Sequence, residues 1–285
     1  MGCCEAKNAL VTGASRGIGR ALAKRLAAEG ANVVLSASRL GSHGDLRGTL
    51  EDSAEEIERA GGRAATVVAD LLDDEARSDL IARAEAAFGP LDILVNNAAM
   101  GSWAMPSQST LSDRRKMLEV NLHAPVDLAQ QVLPGMRERG SGWVLSIGSD
   151  SHRQPPVPYR DTQDAAHLIT AYGATKAALD RYMTGLAHEV AGDGVFVNVL
   201  APVSIVLTQE AARFVGHIAK NNPDMTEPIE LMTEAALELC TERHVGQIVL
   251  SRELLHRVAR AVRSLDGKTV IGDAFLAADL EAVVL

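Results

Sequence analysis

Apolar runs of strand length alternate with segments of helical period from the first residues to about position 200, and this alternation restricts the chain to repeated βα units. Strands are expected at residues 9–12, 33–35, 66–69, 93–96, 144–147 and 195–200, each rich in Val, Leu or Ile, as strands buried on both faces require. Parallel strands need helical crossovers, so the expected fold class is α/β: a doubly wound parallel sheet with helices on both faces. One helix is expected from about Gly17 to Glu29, where Ile18, Ala21, Leu22, Arg25 and Leu26 repeat at helical spacing and Gly30 supplies a stop. Another is expected to begin near Thr170, as N-cap, and to stop around Gly192 and Gly194, with Ala174, Ala177, Ala178 and Tyr182 on overlapping, closely packed turns.

No repeat, low-complexity tract or linker divides the 285 residues. The chain is read as a single domain with a core over about 7–250 and an extension over about 251–285. Hydrophobic residues at 47% and charged residues at 23% exclude a disordered or fibrous chain. A net charge of −9 disfavours a nucleic-acid partner. No apolar run approaches the about 18 residues of a spanning helix and no signal-like block opens the sequence, so no membrane is expected and a cytoplasmic location is. Met1-Gly2-Cys3-Cys4 resembles acylated N-termini, but Ala6 stands where the pattern needs Ser or Thr. Cys3, Cys4 and Cys240 lack redox or zinc spacing and are expected as reduced thiols, and the eight histidines show no metal-ligand pattern, so no metal is expected.

Thr12-Gly13-Ala14-Ser15-Arg16-Gly17-Ile18-Gly19 lies directly after the first strand and opens the first helix. Glycines there let the backbone turn tightly, and the free N–H groups and dipole of the helix start favour an anion such as a dinucleotide pyrophosphate. The alternative is a glycine turn with no ligand. The second strand ends in Leu35-Ser36-Ala37-Ser38-Arg39 without the acid that would bind adenosine ribose hydroxyls. Arg39, with Arg16, is placed for a 2′-phosphate, so NADP(H) is preferred and NAD(H) is a second option, unless both arginines are merely solvated.

Tyr172-Gly173-Ala174-Thr175-Lys176 sets a phenol and an ammonium at i and i+4 on one helix face. Taken alone, this spacing is also that of a half-buried tyrosine near a surface lysine. In context, Lys176 is placed to lower the phenol's pKa from its ordinary value near 10.

These motifs together resemble the short-chain dehydrogenase/reductase family, over about residues 7 to 250. Beyond the glycine turn and the Tyr172/Lys176 pair, the matches are Asn96-Asn97-Ala98-Ala99 after the fourth strand, Asn121 in Glu119-Val120-Asn121-Leu122, and Ser149 after the fifth strand. The resemblance implies a Rossmann-type fold and a catalytic set of Asn121, Ser149, Tyr172 and Lys176. It makes Tyr172 the general acid in carbonyl reduction and the base in alcohol oxidation, with Ser149 hydrogen-bonding the substrate oxygen. Lys176 would hold the nicotinamide ribose and Asn121 a proton-relaying water. The cofactor set it implies is Gly13, Ser15, Arg16, Gly17, Ile18, Gly19, Ser38, Arg39, Asp70, Leu71, Asn97, Ala98, Pro202 and Thr208, with Tyr172 and Lys176. Asp70 resembles the adenine-contacting acid, with a helix cap as the alternative, and Asn96 the residue supporting the cofactor face.

The sequence departs from the family in three places. Val203 replaces the usual Gly after Pro202, stretching the register to Thr208. Residues 152–169, with Pro155, Pro156 and Pro158, lengthen the interval from Ser149 to Tyr172 and could bring Tyr159 and His167 to the substrate. Ser251-Arg252-Glu253-Leu254-Leu255 replaces a glycine-rich finish, and the tail beyond it is expected to pack on a neighbouring subunit or to cover the sheet edge. Residues 203–228 are expected as a lid. Trp103, Met105, Phe214 and Ile218 suggest a hydrophobic carbonyl or alcohol substrate, core packing being the alternative for each.

The expected activity is NADP(H)-dependent interconversion of a ketone or aldehyde and its alcohol. A 3-oxoacyl-[acyl-carrier-protein] reductase and a non-catalytic NADPH sensor are the alternatives. A methyltransferase on a related sheet would leave Tyr172 and Lys176 unexplained. A homodimer or homotetramer is expected from the resemblance alone.

Overall fold

Leu10 points to one side of the central sheet and Ala9 and Val11 to the other, and all three are fully buried. A strand with two apolar faces needs cover on both, and the chain supplies it. The computed structural model describes residues 2–42, 48–153, 169–203, 205–206, 208, 221 and 226–279. Seven parallel strands run in the order β3-β2-β1-β4-β5-β6-β9: β1 Asn8–Thr12, β2 Asn32–Ala37, β3 Arg63–Val68, β4 Ile93–Asn96, β5 Gly142–Ile147, β6 Val195–Ala201 and β9 Ile248–Leu250. Helices α1 (Gly17–Ala28), α2 (Leu50–Arg59), α8 (Ile229–Thr241) and α9 (Ser251–Arg257) bury their apolar residues in one core layer. Helices α4 (Leu80–Phe88), α6 (Ala124–Arg139) and α7 (Thr170–Glu189) do so in the other. Short α3 (Asp74–Ser78) and α5 (Leu111–Leu118) complete the crossovers. The sheet is thus the doubly wound, Rossmann-like one expected, and its order reverses between β1 and β4, where such sheets open a crevice at their carboxyl ends.

Several expectations are corrected. β3 starts at Arg63, ahead of the expected 66, and is only half-buried, because it is an edge strand with β2 on one side alone. Thr170 is not a cap: Ile169 precedes the first helical residue, and the Thr170 hydroxyl is buried without a partner among the described residues. Ala174, Ala177 and Tyr182 face outward. The close approach of α7 is made instead by Gly173, where a Cβ would stand 2.3 Å from the Ser151 carbonyl oxygen.

The tail covers a helix layer rather than the sheet edge. The short strands β10 (Val262–Arg263) and β11 (Val270–Gly272) pair antiparallel, and Val262 and Ala274 are buried in the core layer of α1 and α8. Between them and α1 lies a buried ionic chain. Arg25 is 1% exposed and donates to Glu234 Oε2 at 3.1 Å; Arg260 donates to Glu234 Oε1 at 2.7 Å and to Glu238 Oε2 at 2.6 Å. A buried charge needs such pairing, since unpaired ions in the interior are strongly disfavoured. Cys3, Cys4 and Cys240 are free thiols, the last two buried.

Another buried carboxyl sits where the chain leaves β6. Two-residue strands β7 (Ile205–Val206) and β8 (Thr226–Glu227) pair in parallel. The fully buried Glu227 accepts from the Ser251 hydroxyl at 2.7 Å and from the Val203 N–H at 3.3 Å. Burial pushes its carboxyl up to about 7. A carboxyl raised in the fold favours the protonated form, so its contribution to stability is present in acid and lost as pH climbs from the unfolded value through about 7. Glu227→Gln should therefore match the wild type in urea unfolding near pH 4 and exceed it by about 3 kcal/mol near pH 8. Equal stability at both pH values would refute this.

Candidate active site

The turn from β1 into α1 is built around two glycines with no room for a side chain. Gly13 has φ +65° and a Cβ there would meet Ala98 Cα at 2.9 Å; on Gly19 it would meet the Gly13 carbonyl oxygen at 2.4 Å. Gly17 adopts φ +55°, which an L side chain rarely takes. The turn is braced by β4: Thr12 Oγ1 accepts the N–H groups of Asn97 (3.0 Å) and Ala98 (3.1 Å), and Asn97 Nδ2 returns to the Thr12 carbonyl at 2.9 Å. Thus α1 opens on a backbone cradle held at fixed distance from the end of β4.

That cradle is one end of a cleft of about 780 Å³ along the carboxyl ends of the strands. All fourteen expected cofactor residues other than the Tyr172/Lys176 pair line it: Gly13, Ser15, Arg16, Gly17, Ile18 and Gly19 from the turn, Ser38 and Arg39 after β2, Asp70 and Leu71 after β3, Asn97 and Ala98 after β4, and Pro202 and Thr208 after β6. Asp70 is not a helix cap. Its Oδ1 accepts the Leu72 N–H at 3.1 Å, while Asp73 caps α3. The Thr208 methyl carbon lies 3.8 Å from a Cβ placed on Gly17, so the stretched register still reaches back over the turn.

Ser149, Tyr172 and Lys176 line the opposite end of the same cleft. Ser149 leaves β5 in extended backbone, its Oγ stands 2.8 Å from Ser151 Oγ, and its hydroxyl is near enough to the Tyr172 phenol to favour the ionised form. Lys176, one turn along α7, is 2% exposed and donates to the Ile147 carbonyl at 2.7 Å, its ammonium 5.7 Å from the centre of the Tyr172 ring. Burial pushes the Lys176 ammonium down to about 8, with the Asp180 carboxylate opposing. The Tyr172 phenol is not lowered, as its spacing from Lys176 predicts, but pushed up to about 12 by burial, with Ser149 pulling the other way. The reason is geometric: the ammonium faces the end of β5, not the phenol oxygen.

Asn121 and Asn96 stand behind the cleft wall. Asn121 occupies a π-helical turn, Glu119–His123, and is 1% exposed. Its carboxamide accepts the Met100 N–H and donates to the Met100 carbonyl, both at 2.8 Å, and donates to Thr175 Oγ1 at 3.0 Å. Asn96 Nδ2 donates to the Pro125 carbonyl at 3.3 Å. Trp103 lines the cleft and is 48% exposed, whereas Met105 does not line it. Tyr159, His167, Phe214 and Ile218 lie outside the described residues, as does most of the expected lid and of the insertion after His152. Sequence reasoning missed Ser36, Val120, Ile147, Gly148, Ile205 and Val206. The carboxyl-end rule for parallel sheets points to Ser36, Ile147 and Gly148, but nothing local marks Val120.

The fold agrees with that of known proteins. The family model for short chain dehydrogenases matches residues 7–215. A short chain dehydrogenase of Pseudocercospora fijiensis is 35% identical over 207 residues, covering 72% of this chain and 62% of that protein. Hydroxysteroid dehydrogenase-like protein 2 of Danio rerio is 29% identical over 283 residues, covering 96% of this chain and 65% of that protein. The chain therefore spans less than two thirds of the length of these curated relatives. A crystal structure of a 3-oxoacyl (acyl-carrier-protein) reductase from Agrobacterium tumefaciens with NADP bound superposes with TM-score 0.75 at 35% identity, over 87% of this chain and 93% of that one. The chain belongs to the short chain dehydrogenase family.

Proposed function

We propose that the protein is an NADP(H)-dependent oxidoreductase interconverting a ketone or aldehyde and its alcohol. The observation that carries this reading is the meeting of the Ser149 hydroxyl, the Tyr172 phenol and the buried Lys176 in one cleft with a side-chain-free glycine cradle. The residues present fit a nicotinamide dinucleotide: Gly13, Gly17 and Gly19 leave backbone N–H groups to an anion, and Arg39 and Arg16 line the cleft with the end of β2, whose residues 35–39 include no acid to repel a 2′-phosphate. The NADP in the Agrobacterium relative supports the same preference. The cofactor supplies hydride for reduction or accepts it in oxidation. Tyr172 delivers the phenolic proton to the carbonyl oxygen and Ser149 donates a hydrogen bond to that oxygen; the Lys176 ammonium, held on the Ile147 carbonyl 5.7 Å from the ring centre, is the buried cation that the phenolate left behind can draw on. Asn121 fixes the loop at Met100 against α7.

Trp103 in the cleft wall favours a hydrophobic substrate. A homodimer or homotetramer in the cytoplasm is the matching proposal for assembly and location. NADPH oxidation by the purified protein against a panel of ketones and aldehydes tests the reading; turnover of at least one is expected. Tight NADPH binding with no turnover on any compound would favour a sensor instead. The similarity to a 3-oxoacyl reductase keeps a second reading in view: faster reduction of a carrier-linked 3-oxoacyl group than of free ketones would select it.

A further inference from the structure

Helix α7 places Tyr172, Lys176 and Asp180 on successive turns of one face. Asp180 is 6% exposed, and its Oδ2 is in ion-pair contact with Nδ1 of His152, from the turn that follows Ser149. His152 Nε2 accepts from Arg153 Nε at 2.9 Å, so a neutral ring carries its proton on Nδ1, which lies against the carboxylate without meeting it as an aligned hydrogen bond. The other oxygen, Oδ1, is buried without a partner among the described residues and lies 3.5 Å from a Cβ placed on Gly148. It is turned to the end of β5, where the Ile147 carbonyl holds the Lys176 ammonium.

We infer that Asp180, held by His152, is a positioning residue for catalysis: its carboxylate keeps the buried Lys176 protonated, and the same contact clamps the Ser149 turn onto α7. This rests on the reading that Tyr172 and Lys176 carry the reaction. Among the described residues no other carboxylate acts on Lys176, and Asp180 opposes the burial that pushes the ammonium down. Burial pushes the Asp180 carboxyl up in turn, with His152, Lys176 and Arg153 pulling it back. Of the other described groups against α7, the turn that carries His152 also brings Asp150, β6 brings no charged residue, the π-helical turn brings Glu119, paired with Arg77, and His123, and α5 brings Asp113 with exposed Arg114, Arg115 and Lys116. The second clamp is the Gly173 contact with the Ser151 carbonyl.

The direct test is 13C NMR of the Lys176 Cε resonance in the cofactor-free protein, assigned by its loss in Lys176→Arg. Asp180→Asn should lower its titration midpoint by about one pH unit. His152→Ala should move it the same way, and His152→Asn, which restores an N–H donor, should return it. In NADPH-dependent ketone reduction, the alkaline limb of kcat/KM should move down equally, giving about a tenfold loss near pH 9 and little near pH 6. A purely structural role would lower the rate by one factor at every pH. An unmoved Lys176 midpoint in both Asp180→Asn and His152→Ala overturns the inference, and if Asp180→Asn does not fold, the His152 pair decides alone. Activity surviving in Tyr172→Phe would sink the catalytic reading instead, while the NMR midpoint still judges Asp180.

Discussion

Tyr172→Phe should bind NADPH as the wild type does and lose about a thousandfold or more of its carbonyl-reductase turnover. The substitution removes one oxygen from a ring whose burial and seat on α7 are otherwise unchanged, so the cradle at Gly13, Gly17 and Gly19 keeps its geometry. What disappears is the proton beside the Ser149 hydroxyl. With the phenol pushed up to about 12, Tyr172 is fully protonated at neutral pH and ready to act as an acid. The same shift makes it a poor base in the cofactor-free cleft, so reduction should be the easier direction near neutrality. Stopped-flow NADPH oxidation together with fluorescence titration of cofactor separates the two quantities. Near-normal turnover in the variant would remove Tyr172 from the mechanism.

Arg39→Asp should weaken NADPH by about ten- to a hundredfold while changing NADH little, so that the preference between the two narrows or reverses. Arg39 and Ser38 follow the carboxyl end of β2, in the part of the cleft shared with Arg16. A carboxylate there would both forfeit a charge-assisted bond to a 2′-phosphate and repel it, yet could accept from the ribose hydroxyls of NADH. Titrating both cofactors against the variant gives the ratio, and an unaltered ratio would mean that Arg39 makes no phosphate contact.

The motifs were legible because their chemistry is local. A glycine turn between strand and helix, a serine at a strand end and a Tyr/Lys pair at i and i+4 each fix their own geometry within a few residues, and all of them line one cleft. Strand centres were legible for a similar reason: Leu10, Val34, Leu94 and Val144 are apolar because both faces of the sheet are covered. The misses depend on partners distant in sequence. Nothing around Thr66 says that β3 has a neighbour on one side alone. Nothing in the run of alanines after Tyr172 says that Gly173, rather than Ala174 or Ala177, meets the Ser151 carbonyl. The direction of the phenol's shift was equally hidden, since Lys176 spends its ammonium on a backbone carbonyl of another element. Asp180 and His152 carried no signal at all, being a chance-looking acid and histidine until the fold brings them together.

Arg25 sits in the helix whose first turn forms the glycine cradle, and Glu234 joins it to Arg260 near the far end of the chain. The helix that opens on the glycine cradle is thus tied from behind to the segment leading into β10, so a redesigned segment there that brings no cation to Glu234 leaves that buried acid to Arg25 among the described residues, an arginine already shared with Glu29.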